Sequence, residues 1–265
     1  MSDTDNSIVE IERADGIATL RFNRPERLNA MDRAMAEAFH EAVAEVVEDA
    51  ATRVIILSGA GESFLAGGDL AAMEQAGDDA VAAVDTIIRP AHAAMKQLMA
   101  APQPTIAQLH GAVAGAGMSV AMATDLAVAA DNTRFNLAYA NIGAVPDCSG
   151  SWSLPRLVGM RRAREIALLS ETIDADEAKA LGLVNRVVPL SQLDNRIRQL
   201  AQRLAAGPPV AQGHIKRLLR SSLDTDLPGQ LDAEERAFKD CAATQDFRNA
   251  VTAFLRRQKP VFTGK

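Results

Sequence analysis

A chain of 265 residues is about twice the commonest size of a single domain, so it can form one large domain or a domain with an appendage. Apolar residues make up 48% and charged residues 23% of the sequence, which is typical of a globular protein and excludes a disordered or collagen-like chain. The formal net charge of -6 repels phosphate backbones, so nucleic acid is a poor candidate for a partner.

Cysteine content and hydropathy indicate the compartment. Cys148 and Cys241 are too few for a disulfide framework, so we expect both to be free thiols. The first residues lack the basic and apolar segments of a secretory signal, and no apolar run approaches the roughly 20 residues of a membrane-spanning helix. We therefore expect a soluble cytoplasmic protein without membrane partners. The histidines show no metal-binding spacing, which predicts that there is no metal site.

Along the first half of the chain, apolar residues alternate between the periods of strands and helices. Residues 8–12 and 17–22, on either side of a turn at 14–16, predict a β-hairpin. A helix with one apolar stripe is predicted from Asp32, whose side chain can cap it, to residue 48. Continuous apolar runs predict buried strands at residues 53–58, 105–109 and 125–130. A helix is predicted between the first two of them, at residues 80–99. Buried strands with helical crossovers predict a layered α/β fold.

Beyond Pro146 the pattern becomes mostly helical. Amphipathic stripes predict helices at residues 193–204, 210–219 and 247–255. A linker is predicted at residues 207–209, because two consecutive prolines disfavour helix there, and it divides the chain into an α/β core (1–206) and a C-terminal helical region (207–265). The last helices carry more apolar side chains than a thin appendage can bury, so we expect them to pack on the core or on another subunit.

Two glycine-rich segments, at residues 58–69 and 110–118, each follow a predicted buried strand. Neither is a dinucleotide-binding fingerprint, because Phe64 and Val120 stand where the third glycine is required. Neither contains the Gly-Lys-Ser or Gly-Lys-Thr of a phosphate-binding loop. Such loops can expose unpaired backbone N–H groups, the second at the start of a helix near Ala116, and this describes an oxyanion hole. The alternative is that these glycines only permit tight turns and close packing.

Four motifs occur in the order and at about the separations of one enzyme superfamily: Asn-Arg-Pro-Glu-Arg-Leu-Asn-Ala at 23–30, Phe-Leu-Ala-Gly-Gly-Asp-Leu at 64–70, Gly-Ala-Val-Ala-Gly-Ala-Gly at 111–117 and Ile-Gly-Ala-Val-Pro-Asp-Cys-Ser-Gly at 142–150. This pattern resembles the crotonase (enoyl-CoA hydratase/isomerase) superfamily, and the resemblance covers nearly the whole chain. Within it, residues 145–152 and the last six residues look most like the ring-1,2-epoxyphenylacetyl-CoA isomerases of phenylacetate degradation.

The resemblance implies an α/β crotonase-like spiral of ββα units followed by a C-terminal helical oligomerisation region that builds homotrimers, often paired into homohexamers. It also implies an acyl-CoA substrate and no separate cofactor. Gly68 and Ala116 match the residues whose N–H groups hold the thioester oxygen, and Arg27 and Leu28 match the segment that touches the nucleotide end of CoA. The neighbouring positions that match the substrate-binding motifs are Ala66, Gly67, Asp69, Leu70, Gly115 and Gly117.

The sequence departs from the hydratase pattern of the superfamily at two positions. Hydratases use two glutamates to hold and split water, and the matching residues in this chain are Ser119 and Tyr139, which are not carboxylic acids. The alternative is a purely structural role for both: Ser119 would only pack closely in its helix, and Tyr139 would only be a ring in the core. Asp147 matches the acid/base of the isomerases, whereas by pattern alone an aspartate after Pro146 would cap the helix that begins near residue 150.

These residues predict an acyl-CoA isomerase in which Asp147 removes a proton and returns it two carbons away while an enolate persists. One alternative is an enoyl-CoA hydratase-like lyase that uses Asp147 with a water held by Ser119 or Tyr139. Another is a non-catalytic acyl-CoA-binding protein. A carboxylate that faces the cavity of Gly68 and Ala116 favours an enzyme, and one that points to solvent favours the cap and the binding protein.

Overall fold

The structure, a computed structural model, describes residues 7–75 and 77–265. Its strands are β1 (Val9–Ala14), β2 (Ile17–Phe22), β3 (Val54–Gly59), β4 (Thr105–Leu109), β5 (Ala112–Ala114), β6 (Leu126–Ala130), β7 (Arg134–Asn136), β8 (Ile173–Asp174) and β9 (Arg186–Val188). A six-stranded sheet has the order β1-β2-β3-β4-β6-β9, with β1 and β2 antiparallel and the following pairs parallel. A small sheet has the order β5-β7-β8.

The helices alternate with the strands in the first half of the chain and follow one another near its end. They are α1 (Arg33–Glu48), α2 (Leu70–Gln75), α3 (Ala80–Ala100), α4 (Ala116–Met122), α5 (Gly150–Val158), α6 (Met160–Leu169), α7 (Ala175–Ala180), α8 (Leu193–Ala205), α9 (Pro209–Ser221), α10 (Leu227–Ala243) and α11 (Gln245–Leu255). The prediction of an α/β fold with a helical C-terminal part is confirmed.

The large sheet is covered by helices on both faces. In β3, Ile55 and Leu57 lie in the core that α1 and α3 cover, and Val54 and Ile56 lie in a second core with residues of α8 such as Ile197. Successive side chains of a strand point to opposite faces, so a strand that is buried on both faces is apolar throughout. The predicted helix at 32–48 is also confirmed, since α1 begins after Asp32, whose carboxylate accepts a hydrogen bond from Met35 N.

Parallel pairing brings the two glycine-rich segments to one edge of the sheet. Strands β3 and β4 are adjacent and parallel, so the segments that follow their carboxyl ends emerge side by side. In open parallel sheets this edge is where ligands usually bind. Backbone pairing of β3 and β4 alone therefore places residues 60–69 and 110–115 next to each other.

Several short elements were not predicted. Strands β5, β7, β8 and β9 have two or three residues each, too few to display an alternating pattern. Helix α10 was also not predicted: it begins with Leu-Pro-Gly, and Ala237 is its only buried residue.

The C-terminal helices contact the core but leave much apolar surface open. Lys216 of α9 forms an ion pair with Asp125 at the start of β6, with 2.8 Å between Nζ and Oδ2. Ile215 and Leu219 of α9 remain 56% and 69% exposed, and Phe254 of α11 is 82% exposed. One helix face is thus attached to the core while the apolar stripes remain open. The proposed boundary between residues 206 and 207 stays a prediction.

No helix within residues 7–75 and 77–265 combines the length and the apolar character needed to cross a membrane.

Candidate active site

The two glycine-rich segments pack backbone to backbone. Leu65 and Val113 form a parallel bridge, and a Cβ on Gly67 would lie 3.2 Å from the carbonyl oxygen of Ala114. A side chain on Gly117 would collide with the carbonyl group of Leu65. The packing interpretation of these glycines is therefore correct for the contact between the loops. It does not exclude the oxyanion hole, because close packing fixes where the remaining N–H groups lie.

The first candidate donor is the N–H of Gly68. Met31 bridges this segment on one side: its N–H donates to Gly67 O at 2.7 Å and its carbonyl accepts from Asp69 N at 2.9 Å. Alternate residues of an extended segment bond to opposite sides, so the N–H of Gly68 faces away from Met31. Among the residues that the structure describes, it has no hydrogen-bond acceptor. Leu70 follows as the half-exposed first residue of α2.

The second candidate donor is the N–H of Ala116, the first residue of α4. The preceding Gly115 has a φ of 50° and donates its own N–H to Asn136 O at 2.9 Å. A donor at the first position of a helix has no intrahelical acceptor. Within residues 7–75 and 77–265, no other acceptor takes this N–H either. The structure thus leaves both predicted oxyanion donors unpaired, at neighbouring loops.

The segment at residues 23–31 lies against the first donor loop. Leu28, half exposed with a φ of 51°, accepts a hydrogen bond at its carbonyl from Ala66 N at 3.1 Å. Arg27 lies beside it with an exposed side chain. Asn29 is fully buried and donates from Nδ2 to the carbonyl groups of Ala60, Ser63 and Phe64. The structure therefore places Leu28 against the first donor loop and Arg27 beside it, and their contact with the nucleotide end of CoA stays a prediction.

Arg24, in the same segment, was not predicted as a site residue. Its guanidinium lies 2.9 Å from an oxygen of Asp32 and 3.4 Å from an oxygen of Asp69, and it also donates to Ala30 O at 2.8 Å. Asp69 directly follows the Gly68 donor and accepts from Ala72 N at the start of α2. Arg24 thus fixes the residue next to the donor. A partly buried arginine between two acidic partners is the usual signal of such a role, but only the fold brings these partners together.

A chain of hydrogen bonds connects the three remaining candidates. Ser119 Oγ lies 3.3 Å from the hydroxyl oxygen of Tyr139, and the Tyr139 hydroxyl donates to Oδ1 of Asp147. Ser119 is completely buried on α4, one turn after Ala116. The two residues that stand where hydratases have glutamates therefore meet the candidate acid/base.

The alternative role of Asp147 as a helix cap is wrong. Ser149 occupies the N-cap position of α5, and no side chain caps this helix. Asp147 contributes only its backbone carbonyl there, which accepts from Gly150 N at 2.7 Å. Its carboxylate instead faces Tyr139, so the chain connects it to α4 rather than to α5.

The neighbours of Asp147 are kept protonated. Burial, with the nearby Asp147 carboxylate adding to it, raises the pKa of the Tyr139 phenol far above its ordinary value. The same two causes, burial first, strongly raise the pKa of the Cys148 thiol. A phenol and a thiol that hold their protons cannot serve as bases at neutral pH. Among these three neighbouring groups, Asp147 is therefore the candidate proton acceptor.

His92 of α3 also reaches this loop, which its distant position in the sequence concealed. Donor atoms of His92, Asp147 and Cys148 lie within 4.8 Å of one another. These groups already have partners: His92 Nε2 accepts the N–H of Cys148 at 3.1 Å, and Asp147 accepts the phenol of Tyr139. The arrangement anchors the loop of Asp147. The absence of a metal site stays a prediction.

Comparisons with known proteins identify the family of this chain. Residues 12–265 match the family model "Enoyl-CoA hydratase/isomerase". The chain belongs to the enoyl-CoA hydratase/isomerase family. It is 36% identical to a "probable enoyl-CoA hydratase" of Rhodobacter capsulatus over 97% of this chain and 98% of the relative. It is also 36% identical to the 1,2-epoxyphenylacetyl-CoA isomerase of Escherichia coli, over 94% and 96% of the two chains.

The fold of the family is shown as well. A crystal structure of an enoyl-CoA hydratase/isomerase homologue from Mycobacterium abscessus superposes with a TM-score of 0.93, at 36% identity, over 97% of this chain and all of that one. The predicted crotonase fold is therefore confirmed. Enoyl-CoA hydratase/isomerase activity is the activity of this family, whose members carry both reaction names.

Proposed function

We propose that the protein is an acyl-CoA isomerase that moves a double bond, or rearranges a ring epoxide, next to a CoA thioester. The observation that carries this proposal is the anchoring of Asp147 through Tyr139 to Ser119, one helical turn after the Ala116 donor. The candidate base and one candidate oxyanion donor are thus fixed to the same short helix. Enolate chemistry requires a base and oxyanion donors around one substrate, and this connection supports such an arrangement.

In the proposed reaction the thioester oxygen accepts hydrogen bonds from the N–H groups of Gly68 and Ala116. Asp147 takes a proton from the α-carbon, and the electron pair that is left moves onto the thioester oxygen as an enolate. The same carboxyl group returns the proton to the γ-carbon as the enolate collapses. The double bond has then moved by one position and the carboxylate is regenerated. Because protons and electrons balance, we propose no cofactor besides the CoA of the substrate.

Hydration is the second candidate, and the surroundings of Ser119 and Tyr139 argue against it. Ser119 is fully buried, and a side chain on Gly150 of α5 would collide with its hydroxyl, so no open face remains to hold a water. Tyr139 has a single hydroxyl proton, which goes to Asp147. The hydroxyl groups of Ser119 and Tyr139, which would have to hold the water in the hydratase route, are therefore already engaged in hydrogen bonds within the protein.

The relatives guide the choice of substrate. The Escherichia coli relative is named for isomerisation of 1,2-epoxyphenylacetyl-CoA, and this supports a ring-containing acyl group for this chain. The Rhodobacter capsulatus relative is named a hydratase and keeps hydration as the runner-up. We further propose that Arg27 and Leu28 contact the nucleotide end of CoA, as their match to the family motif implies. The hydrogen bond from Ala66 N to the carbonyl of Leu28 attaches this segment to the first donor loop.

A panel of CoA esters tests the proposal. The purified protein is incubated with β,γ-enoyl, α,β-enoyl and epoxyphenylacetyl CoA in deuterated water, and the products are identified by mass. Isomeric products with deuterium gained at carbon are expected. A product heavier by one water would establish the hydratase instead. Tight binding of all esters without any product or exchange would establish the non-catalytic binding protein.

A further inference from the structure

We propose that Tyr139 is a positioning residue that holds the Asp147 carboxylate in one orientation, so that only its second oxygen, Oδ2, exchanges protons with the substrate. The inference rests on the isomerase proposal and assigns roles to single atoms within it. It begins from the three hydroxyl and carboxyl groups of Ser119, Tyr139 and Asp147, which follow one another at hydrogen-bond distance.

The direction of the chain is fixed by counting protons. The Tyr139 hydroxyl has one proton, and Asp147 Oδ1, as a carboxylate oxygen, can only accept. The phenol proton is therefore committed to Oδ1. The contact of 3.3 Å between Ser119 Oγ and the phenol oxygen must then be a donation from the serine. Both hydrogen bonds point the same way, from Ser119 through Tyr139 to Asp147, and such chains polarise their members.

This direction separates the two oxygens of Asp147. Oδ1 already accepts the Tyr139 hydroxyl in a charge-assisted hydrogen bond. Oδ2 is the oxygen left to accept the α-proton and to return it to the γ-carbon. A carboxylate held in this way presents one oxygen to both carbons. A carboxylate that rotates freely would present either oxygen and would lose the proton to water more often before returning it.

The backbone around the chain supports a fixed geometry. Ala138, next to Tyr139, has a φ of 52°, and Cys148 and Ser149, next to Asp147, have φ values of 44° and 72°. Non-glycine residues adopt this region only when their surroundings impose it, and they occur preferentially at functional sites. His92 contributes to that restraint through its hydrogen bond to Cys148 N.

Replacement of Tyr139 by phenylalanine tests this role, since Tyr139→Phe keeps the ring and deletes only the hydroxyl. We expect kcat for isomerisation to fall about 10- to 100-fold with little change in KM, because a hydrogen bond to a charged group is lost from the proton-transfer step. The decisive measurement is the ratio of α-proton exchange with solvent to isomerisation. We expect this ratio to rise at least fivefold, an effect that weaker packing alone would not produce.

A second variant keeps the test independent of how well Tyr139→Phe folds. Ser119→Ala removes only the donation to the phenol, so it should lower kcat a few-fold and raise the exchange ratio modestly. Because Ser119 acts through Tyr139, the double variant should behave like Tyr139→Phe alone. The matched control is Ser58→Ala, which removes another buried serine hydroxyl, on β3 and away from the loop of Asp147, and should leave both measurements unchanged.

The outcomes separate this inference from the function on which it rests. If Asp147→Asn inactivates the enzyme while Tyr139→Phe and Ser119→Ala keep the wild-type kcat and exchange ratio, the positioning role is wrong and the isomerase proposal stands. If the two effects add in the double variant, Ser119 does not act through Tyr139 and the directed chain is wrong. If Asp147→Asn keeps full activity, the isomerase proposal itself fails.

Discussion

Gly67 and Gly115 lie in direct backbone contact, so that a Cβ on Gly115 would stand 3.4 Å from the α-carbon of Gly67. Both have positive φ, 96° and 50°, a conformation that glycine adopts without strain. Each glycine directly precedes a candidate oxyanion donor, Gly68 or Ala116. The spacing of the two donors is therefore set by backbone packing, which makes the hole rigid before a substrate arrives.

The N–H of Gly68 can be deleted by a single substitution. Gly68→Pro deletes the N–H, so we expect kcat to fall by about a hundredfold or more while binding of a CoA ester remains measurable. The matched control is Gly68→Ala, which keeps the N–H and whose Cβ would meet only the methyl end of Met73, at 2.8 Å. Steady-state kinetics and CoA titration check both variants. Unchanged turnover in a folded Gly68→Pro protein would remove Gly68 from the mechanism.

Arg24 should affect turnover although it touches no substrate. Arg24→Gln breaks its contacts with Asp32 and Asp69 and frees the residue that follows the Gly68 donor. We expect kcat to fall about tenfold with a smaller change in KM, because a misplaced donor weakens the transition state more than the ground state. Arg33→Gln, which breaks an exposed ion pair with Glu37, is the control and should be silent. Equal kinetics for the two variants would contradict the positioning role.

How far the sequence predicts this site depends on the range of each interaction. Glycines after buried strands place the two donor loops, because neighbouring parallel strands end at the same edge of a sheet. No local pattern reveals that Arg24 reaches Asp69, 45 residues away, or that Tyr139 reaches Asp147. These contacts depend on chain turns with positive φ at non-glycine residues such as Ala138, which the packing imposes and propensity does not indicate.

The exposed apolar side chains of the last helices lead to a prediction about assembly. Ile215, Leu219 and Phe254 are more than half exposed, and large apolar side chains exposed on the same group of helices indicate an interaction surface. We predict a homotrimer or homohexamer held partly by these helices. Light scattering at micromolar concentration measures the mass, and Leu219→Asp should lower it, whereas Val81→Asp, an equally drastic change at an exposed site on α3, should not. A monomeric wild type would contradict the prediction.

Asp246 predicts how stability depends on pH. Burial raises its pKa, but hydrogen bonds from Thr263 N and Gly264 N, each 2.7 Å long, outweigh burial and leave the pKa below its ordinary value. A lowered folded-state pKa adds stability above the unfolded-state pKa of about 3.9, and this stability is lost as pH falls through the folded-state value. Asp246→Asn should therefore lower the melting temperature at pH 7 and lose this effect toward pH 3. Asp232→Asn, on the exposed side of α10, should show neither change.

The sharpest prediction concerns the carboxylate itself. Asp147→Asn preserves the size of the side chain but removes its ability to accept a proton, so isomerisation should fall by about two to four orders of magnitude. Stability should barely change, because the Asp147 side chain caps no helix and an amide oxygen can still accept the Tyr139 hydroxyl. Loss of activity without loss of stability distinguishes a base from a structural residue.

Two measurements on the wild type complete that argument. The α-proton of the substrate should exchange with deuterated solvent, since the enolate forms whether or not the double bond moves. Hydration of crotonyl-CoA should be slow, because Ser119 is fully buried against Gly150 and the Tyr139 hydroxyl donates its only proton to Asp147. In Asp147→Asn, proton exchange and isomerisation should disappear together, because both begin with removal of the α-proton by the Asp147 carboxylate. Full isomerase activity in that variant, or wild-type hydration faster than isomerisation, would assign the chemistry to another group.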